Sequence, residues 1–479
     1  MGGDATGAGE RQHAPGHARV AELRATPHPP GVALDGFVPP FPPRHTGRLP
    51  LPELLRRARR NFLEVWSADQ FAQEAISTRV LAQPILVCNS PATVQAAFID
   101  EAAALERKSP QMRHALEPLL GDGLFISDGL VWRERRRAVA PVTHASRLAE
   151  LAPAMSVAAA ERAEAWAALP PGAPVDMLAQ MAELAAEVIC RTLFGRRLGA
   201  DAAREVVSAF ARYQAVVPQI DALSLLGLPD WLPRPRPWRL RAEVRRIHAV
   251  VDRLIAAVMA GRDDGLSVVG AMAAAGMDAA ACRNETATLF MAGHETSANA
   301  MAWAWFLLSQ APDAAARLRD EAAAALGGRP AAWEDLPRLP FARAVVEETL
   351  RLYPPVPLLA RTASAPVDIA GHAVPRGGIV LAVPWLLHRN PRLWDRPDHF
   401  LPERFLAGRP VRHAYIPFSL GPRVCTGAQF ALAETVICLS TLAQRFAPRL
   451  APDARVAPVC RLTLRPGEAL PMLLDRAPA

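Results

Sequence analysis

Over most of residues 91–355, apolar positions recur at three- and four-residue intervals with short connections between the runs. That is the spacing of one helix face. The longest run, Asp278–Ser309, exceeds the ~10–14 residues of an ordinary globular helix. Helical periodicity begins at about Leu51, and another apolar run opens at Ala428. The run Thr78–Cys88 predicts a short hairpin, and strand-like runs such as Cys460–Arg465 follow Pro355. Residues 1–45 break the pattern: Pro27, Pro29, Pro30, Pro39, Pro40, Pro42 and Pro43 preclude regular structure there. A disordered tail continuing as an extended arm is expected. Gly227–Trp238 holds four prolines and two tryptophans, so it is read as a loop between helices.

Composition sharpens this. Apolar residues make up 51% of the 479, enough for a large core, and Ala and Leu dominate over β-branched residues. The net charge is +7, with arginines clustered at Arg133, Arg135, Arg136 and Arg137 and at Arg239, Arg241, Arg245 and Arg246. No nucleic-acid-binding module accompanies them, which argues against a nucleic-acid partner. Solvated helix faces are the default for such runs; a docking face for an acidic protein is the sharper reading. Six cysteines are dispersed with no C-x-x-C spacing, which argues against zinc and suits a reducing cytoplasm. The most apolar long window, Thr286–Leu308, is interrupted by His294 and Glu295, so no membrane span is expected.

The chemistry concentrates in Phe418-Ser-Leu-Gly421-Pro-Arg423-Val-Cys425-Thr-Gly427. Glycine lacks a Cβ, so Gly421 and Gly427 permit tight turns and close approach to a flat ligand. Arg423 offers a fixed cation for an anionic group. Cys425 lies just before the predicted helix at Ala428, where the helix dipole stabilises a thiolate. Ala292-Gly293-His294-Glu295-Thr296-Ser297 places a glycine, an acid and two hydroxyls inside the apolar Asp278–Ser309 run. Such local conflict marks a functional site more often than a packing site. Thr296 can donate back to the carbonyl one turn earlier. Glu348 and Arg351 stand at i and i+3 on one helix face, and Trp132 and Arg136 one turn apart.

Together these stretches resemble the cytochrome P450 family, whose Phe-x-x-Gly-x-Arg-x-Cys-x-Gly pattern is complete here. The resemblance spans about residues 50–475. It implies a mainly α fold, a triangular helical prism with a small β-sheet region. Residues 46–479 would form a single domain around one cofactor, although length alone would allow two to four. The cofactor implied is haem b, with Cys425 as axial thiolate and metal ligand. Phe418, Gly427, Gly293 and Ala292 would contact it. Trp132, Arg136, Arg423 and Arg361 would hold its propionates. Thr296 and Glu295 would manage protons for dioxygen. Glu348, Arg351 and Arg404 would form a buried scaffold. Phe125, Ala292, Val356 and Leu462 are the candidate substrate contacts, all apolar, and Gly227–Trp238 would be a lid.

The implied reaction inserts one oxygen atom of O2 into a small apolar or amphipathic substrate, by C–H hydroxylation or epoxidation. The chain ends soon after Arg476. Electrons are therefore expected from a ferredoxin or flavodoxin with its NAD(P)H reductase. Two other readings stay open: a peroxide-driven hydroxylase of the same fold, and a non-catalytic haem-binding protein. The Glu295–Thr296 pair argues against both, since neither needs a proton relay.

Overall fold

A computed structural model describes residues 37–195, 205–210, 212–213, 238–263 and 266–477. The proposed lid lies outside the described residues except for Trp238. The principal helices are α1 (Leu51–Arg60), α2 (Pro110–Leu120), α3 (Gly129–Val139), α4 (Leu148–Ala167) and α5 (Met177–Phe194), then α6 (Trp238–Met259), α7 (Val268–Ala274) and α8 (Ala279–Gln310). Three more follow: α9 (Pro312–Leu326), α10 (Pro340–Leu352) and α11 (Ala428–Ala443).

The long helix α8 is the axis of the molecule. Asp278 caps it by accepting from the Ala281 amide at 2.8 Å, and Pro312 opens the next helix just beyond its end. Apolar residues cover α8 nearly all round, as expected of a helix buried on every side. It packs against α5 along much of its length and also meets α6, α10 and α11. Trp303, fully buried on α8, stacks on Tyr353 at 3.6 Å between ring centroids. Tyr353 ends α10 ahead of Pro354 and Pro355, which cannot continue a helix.

Strands β1 (Ala75–Val80), β2 (Gln83–Cys88) and β3 (Arg107–Lys108) precede β4 (Ala173–Asp176). Next come β5 (Leu359–Thr362), β6 (Val367–Ile369), β7 (His372–Val374) and β8 (Ile379–Ala382). The last are β9 (Arg449–Leu450), β10 (Val459–Cys460), β11 (Leu464–Arg465) and β12 (Pro471–Leu474). The largest sheet has the order β1-β2-β8-β5-β3, and β10 pairs with β11 as a small hairpin. In β3–β5, Lys108 stands opposite Arg361 and Arg107 opposite Thr362.

The described part of the proline-rich arm, residues 37–45, is extended and anchored rather than loose. The Phe400 amide donates to Phe37 O at 3.1 Å, and Tyr353 Oη donates to Pro40 O at 2.6 Å. Arg44 pairs with Asp398 at 2.5 Å. Proline has no amide hydrogen, so the arm is held through its carbonyls and side chains.

Candidate functional site

The loop before α11 is built by backbone geometry that its sequence permits. Gly421 sits at φ +68°, and a Cβ there would meet Phe98 O at 2.0 Å. Residues Gly421–Arg423 form one 3-10 turn, and the Cys425 amide donates to Phe418 O at 2.9 Å. This closes the loop and turns Cys425 into a cavity bounded on the other side by α8. The empty space around it, open mouth included, is about 2010 Å³. The Cys425 side chain is open to the cavity, yet the surrounding protein desolvates its thiol and raises the pKa; the Gly427 amide and the Arg136 charge oppose that rise. Arg136 is fixed over the loop by donating to Val424 O at 2.8 Å.

Ala292, Gly293, Glu295 and Thr296 line the opposite wall. Thr296 Oγ1 donates to Ala292 O at 2.5 Å, and a Cβ on Gly293 would press Ile189 of α5 at 3.0 Å. Ser297 Oγ donates to Glu434 Oε2 on α11 at 2.5 Å. The wall opposite the cysteine is thus tied to the helix that follows it. Glu434 is fully buried, and burial pushes its carboxyl up to about 8. Glu295 is not a loose acid. Its Oε1 accepts from Thr463 Oγ1 at 2.6 Å and from Arg465 Nη2 at 2.9 Å.

Cations gather at one end of the cavity. Arg361 is buried, and burial with the nearby Arg423 lowers its pKa to about 9. Lys108, directly across the strand pair, is buried too; burial, Arg361 and Arg423 hold its pKa well below the usual lysine range. Arg423 lies over the Trp132 ring at 4.6 Å and donates to Ser127 O at 2.7 Å. The nearest acid, Glu106, is 3.8 Å from Arg423, beyond hydrogen-bonding reach, and Arg423 Nε is buried without a partner among the described residues. Like charges placed side by side in low dielectric are unfavourable unless an anion joins them.

Phe125, Val356 and Leu462 complete the apolar wall. Lys108 Nζ lies 4.4 Å from the Phe125 ring centroid. Phe125 is carried by a loop clamped on α8: Leu124 N donates to Glu285 Oε1 at 2.8 Å, and Asn284 Nδ2 donates to Asp122 Oδ1 at 2.8 Å. Behind the cysteine loop, Glu348 takes two bonds from Arg351, both 2.7 Å, and one from Arg404 Nε at 3.1 Å. Arg351 also donates to His388 O, Pro397 O and His399 O. The Leu401 amide adds a fourth bond to Glu348.

Residues 39–468 match the family model described as cytochrome P450. Cyclooctatin synthase of Streptomyces melanosporofaciens is 32% identical over 88% of this chain and 94% of its own length. This chain is a cytochrome P450. Another relative from the same organism, cyclooctat-9-en-7-ol 5-monooxygenase, is 31% identical over 70% of the chain and 74% of its own length. Among solved structures, a cytochrome P450DA haem domain superposes with a TM-score of 0.75 at 23% identity, covering 92% of this chain and 98% of that one.

The P450 family is haem-thiolate, so haem b is the cofactor and Cys425 supplies the axial thiolate. The side chains fit that group. The cationic end suits two propionates. Gly427 has φ −92°, which any residue adopts, and a Cβ there would meet no protein atom within 4 Å. Its glycine therefore answers no need of the chain itself but leaves room for a flat ligand. Every cofactor and substrate candidate from the sequence borders this cavity; Glu348, Arg351 and Arg404 stand behind it. Sequence reasoning missed Lys108, Thr463, Arg465 and Glu434. Lys108 reads as part of an ordinary charged stretch, Glu106-Arg107-Lys108, and nothing local marks its burial. For Glu434, an acid inside the apolar run Ala428–Ala443 was the available signal.

Proposed function

We propose that this P450 inserts one oxygen atom from O2 into an unactivated C–H or C=C bond of a largely apolar substrate, using electrons from separate donor proteins. A single observation carries the reading: Cys425 and the Glu295–Thr296 pair face one another across one cavity whose wall, apart from its cationic end, is mostly apolar. When bound, the haem supplies electron transfer to O2 and O–O cleavage, favoured by the electron push of a thiolate. The chain's own residues do the rest. Arg423, Arg136, Arg361, Lys108 and Trp132 hold and orient the cofactor edge. Thr296 presents a hydroxyl on the oxygen side, and Glu295 brings protons toward it. Phe125, Ala292, Val356 and Leu462 exclude water and shape the substrate. No described helix is long and apolar enough to cross a membrane.

The substrate class follows from the wall and from the relatives' names. One relative is named for acting on cyclooctat-9-en-7-ol, an alcohol of an unsaturated ring skeleton. A mostly hydrocarbon cyclic molecule suits this cavity. A ferredoxin or flavodoxin with its NAD(P)H reductase is the proposed donor.

The test is a carbon monoxide difference spectrum of the reduced protein, followed by turnover with O2, reductant and a ferredoxin. A thiolate-type band that is lost in Cys425→Ala, together with product containing one atom of labelled O2, supports the reading. Product from peroxide alone identifies a peroxide-driven hydroxylase instead. Absence of any turnover, with the band intact, identifies a haem-binding protein.

A further inference from the structure

The acid next to Thr296 is held from outside its own helix. Thr463 and Arg465 both bond Glu295 Oε1, and both belong to the β10–β11 hairpin, 168 and 170 residues further along the chain. Thr463 uses both sides of its hydroxyl: it donates to Glu295 and accepts from Asn299 Nδ2 at 3.0 Å, one turn beyond Glu295 on α8. The hairpin base is anchored. The Leu464 amide donates to Pro355 O at 2.9 Å, Trp303 Nε1 donates to Leu464 O at 3.3 Å, and the Cys460 amide donates to Asn61 Oδ1 at 3.1 Å. Its tip is the part that meets the cavity, where Leu462 and Thr463 form adjacent pieces of the wall.

We infer that Thr463 and Arg465 are positioning residues forming a latch on Glu295, and that substrate pressing on Leu462 works this latch. The idea rests on the monooxygenase reading. Leu462 and Thr463 are consecutive, so a displacement of one side chain's backbone is passed to the next. A charge-assisted bond and a hydroxyl bond give the latch enough strength to matter and little enough to be released by a ligand. The acid then turns toward Thr296 when the substrate wall is occupied and stays on the hairpin when it is not. The latch ties proton entry to substrate occupancy. Without it, O2 with two electrons and two protons leaves as hydrogen peroxide, and reductant is spent with no product.

The test uses the haem-loaded protein with a cyclic hydrocarbon that shifts its spin state. Arg465→Gln and Thr463→Val are compared with Arg465→Lys and Glu295→Gln. Product per reductant consumed should fall about ten-fold in Arg465→Gln, the scale of one charge-assisted hydrogen bond. Peroxide should account for the balance, and Arg465→Lys should recover most of the loss. Hydrogen exchange gives a readout independent of turnover. Substrate should raise exchange of the residue 461–465 amides in the wild type, and Arg465→Gln should show that raised level before substrate is added. Wild-type coupling and wild-type exchange in both hairpin variants, with Glu295→Gln impaired, would overturn the latch. A wild-type protein without the thiolate-type carbon monoxide band would overturn the underlying reading instead.

Discussion

Lys108 and Arg361 are direct partners across the antiparallel β3–β5 pair, two buried cations set side by side. Neighbours of this kind repel, and desolvation adds to the cost. An anionic group bridging them reverses the sign. A pair of this kind would favour an anion-loaded form of the protein over the empty one.

Replacing Lys108 should separate those two states. Lys108→Met is expected to raise or preserve the thermal midpoint of the haem-free protein. It should speed haem loss to a scavenger by about ten-fold, the loss of one charge-assisted bond. An unchanged rate of haem loss would remove Lys108 from the propionate end.

Two glycines of the cysteine loop should fail in different ways. Gly421→Ala puts a Cβ 2.0 Å from Phe98 O at φ +68°, so the loop is distorted with or without cofactor. Gly427→Ala meets no protein atom within 4 Å, so the haem-free protein should fold normally but bind haem poorly. Calorimetry of both haem-free variants beside haem titration makes the comparison. Equal haem affinity for Gly427→Ala and wild type would contradict it.

Glu348 is the hub of a fully buried ion cluster, with Arg351 and Arg404 as its partners. Glu348→Ala strands two guanidinium groups and should cost about 3–5 kcal/mol. The expected result is little folded protein and no haem incorporation. Arg351→Lys should rescue poorly, because Arg351 uses its planar fork on Glu348 and three further carbonyls. Haem content near wild type in either variant would refute the scaffold role.

The buried carboxyl of Glu434 sets a pH dependence. Its pKa is raised from 4.5 to about 8, so burial favours the protonated form. Its contribution is fully present below about 4.5 and is lost as pH rises through about 8. Glu434→Gln keeps a partner for Ser297 and should flatten the fall in stability across that window. Chemical denaturation over the same pH range, wild type against variant, decides it. Parallel curves would mean that Glu434 does not titrate there.

The sequence by itself determined the chemistry that lies within one turn or one loop. The cysteine loop, the Glu295–Thr296 pair, and Glu348 with Arg351 are fixed by offsets of a few residues. Helix and turn geometry converts such offsets directly into positions in space. The extent of α8 was legible for the same reason, since periodicity is a local property, and so was the hairpin expected at Thr78–Cys88, whose first strand the structure begins at Ala75. Tertiary structure decided everything that depends on strand register and on which distant faces meet. It set Lys108 opposite Arg361, brought Thr463 and Arg465 onto Glu295, joined Ser297 to Glu434, and pinned the proline-rich arm on Tyr353. Burial turned what read as ordinary surface charges into a cation-lined end of the cavity and a tethered acid, and burial is a property of the packed whole that no short stretch of residues encodes.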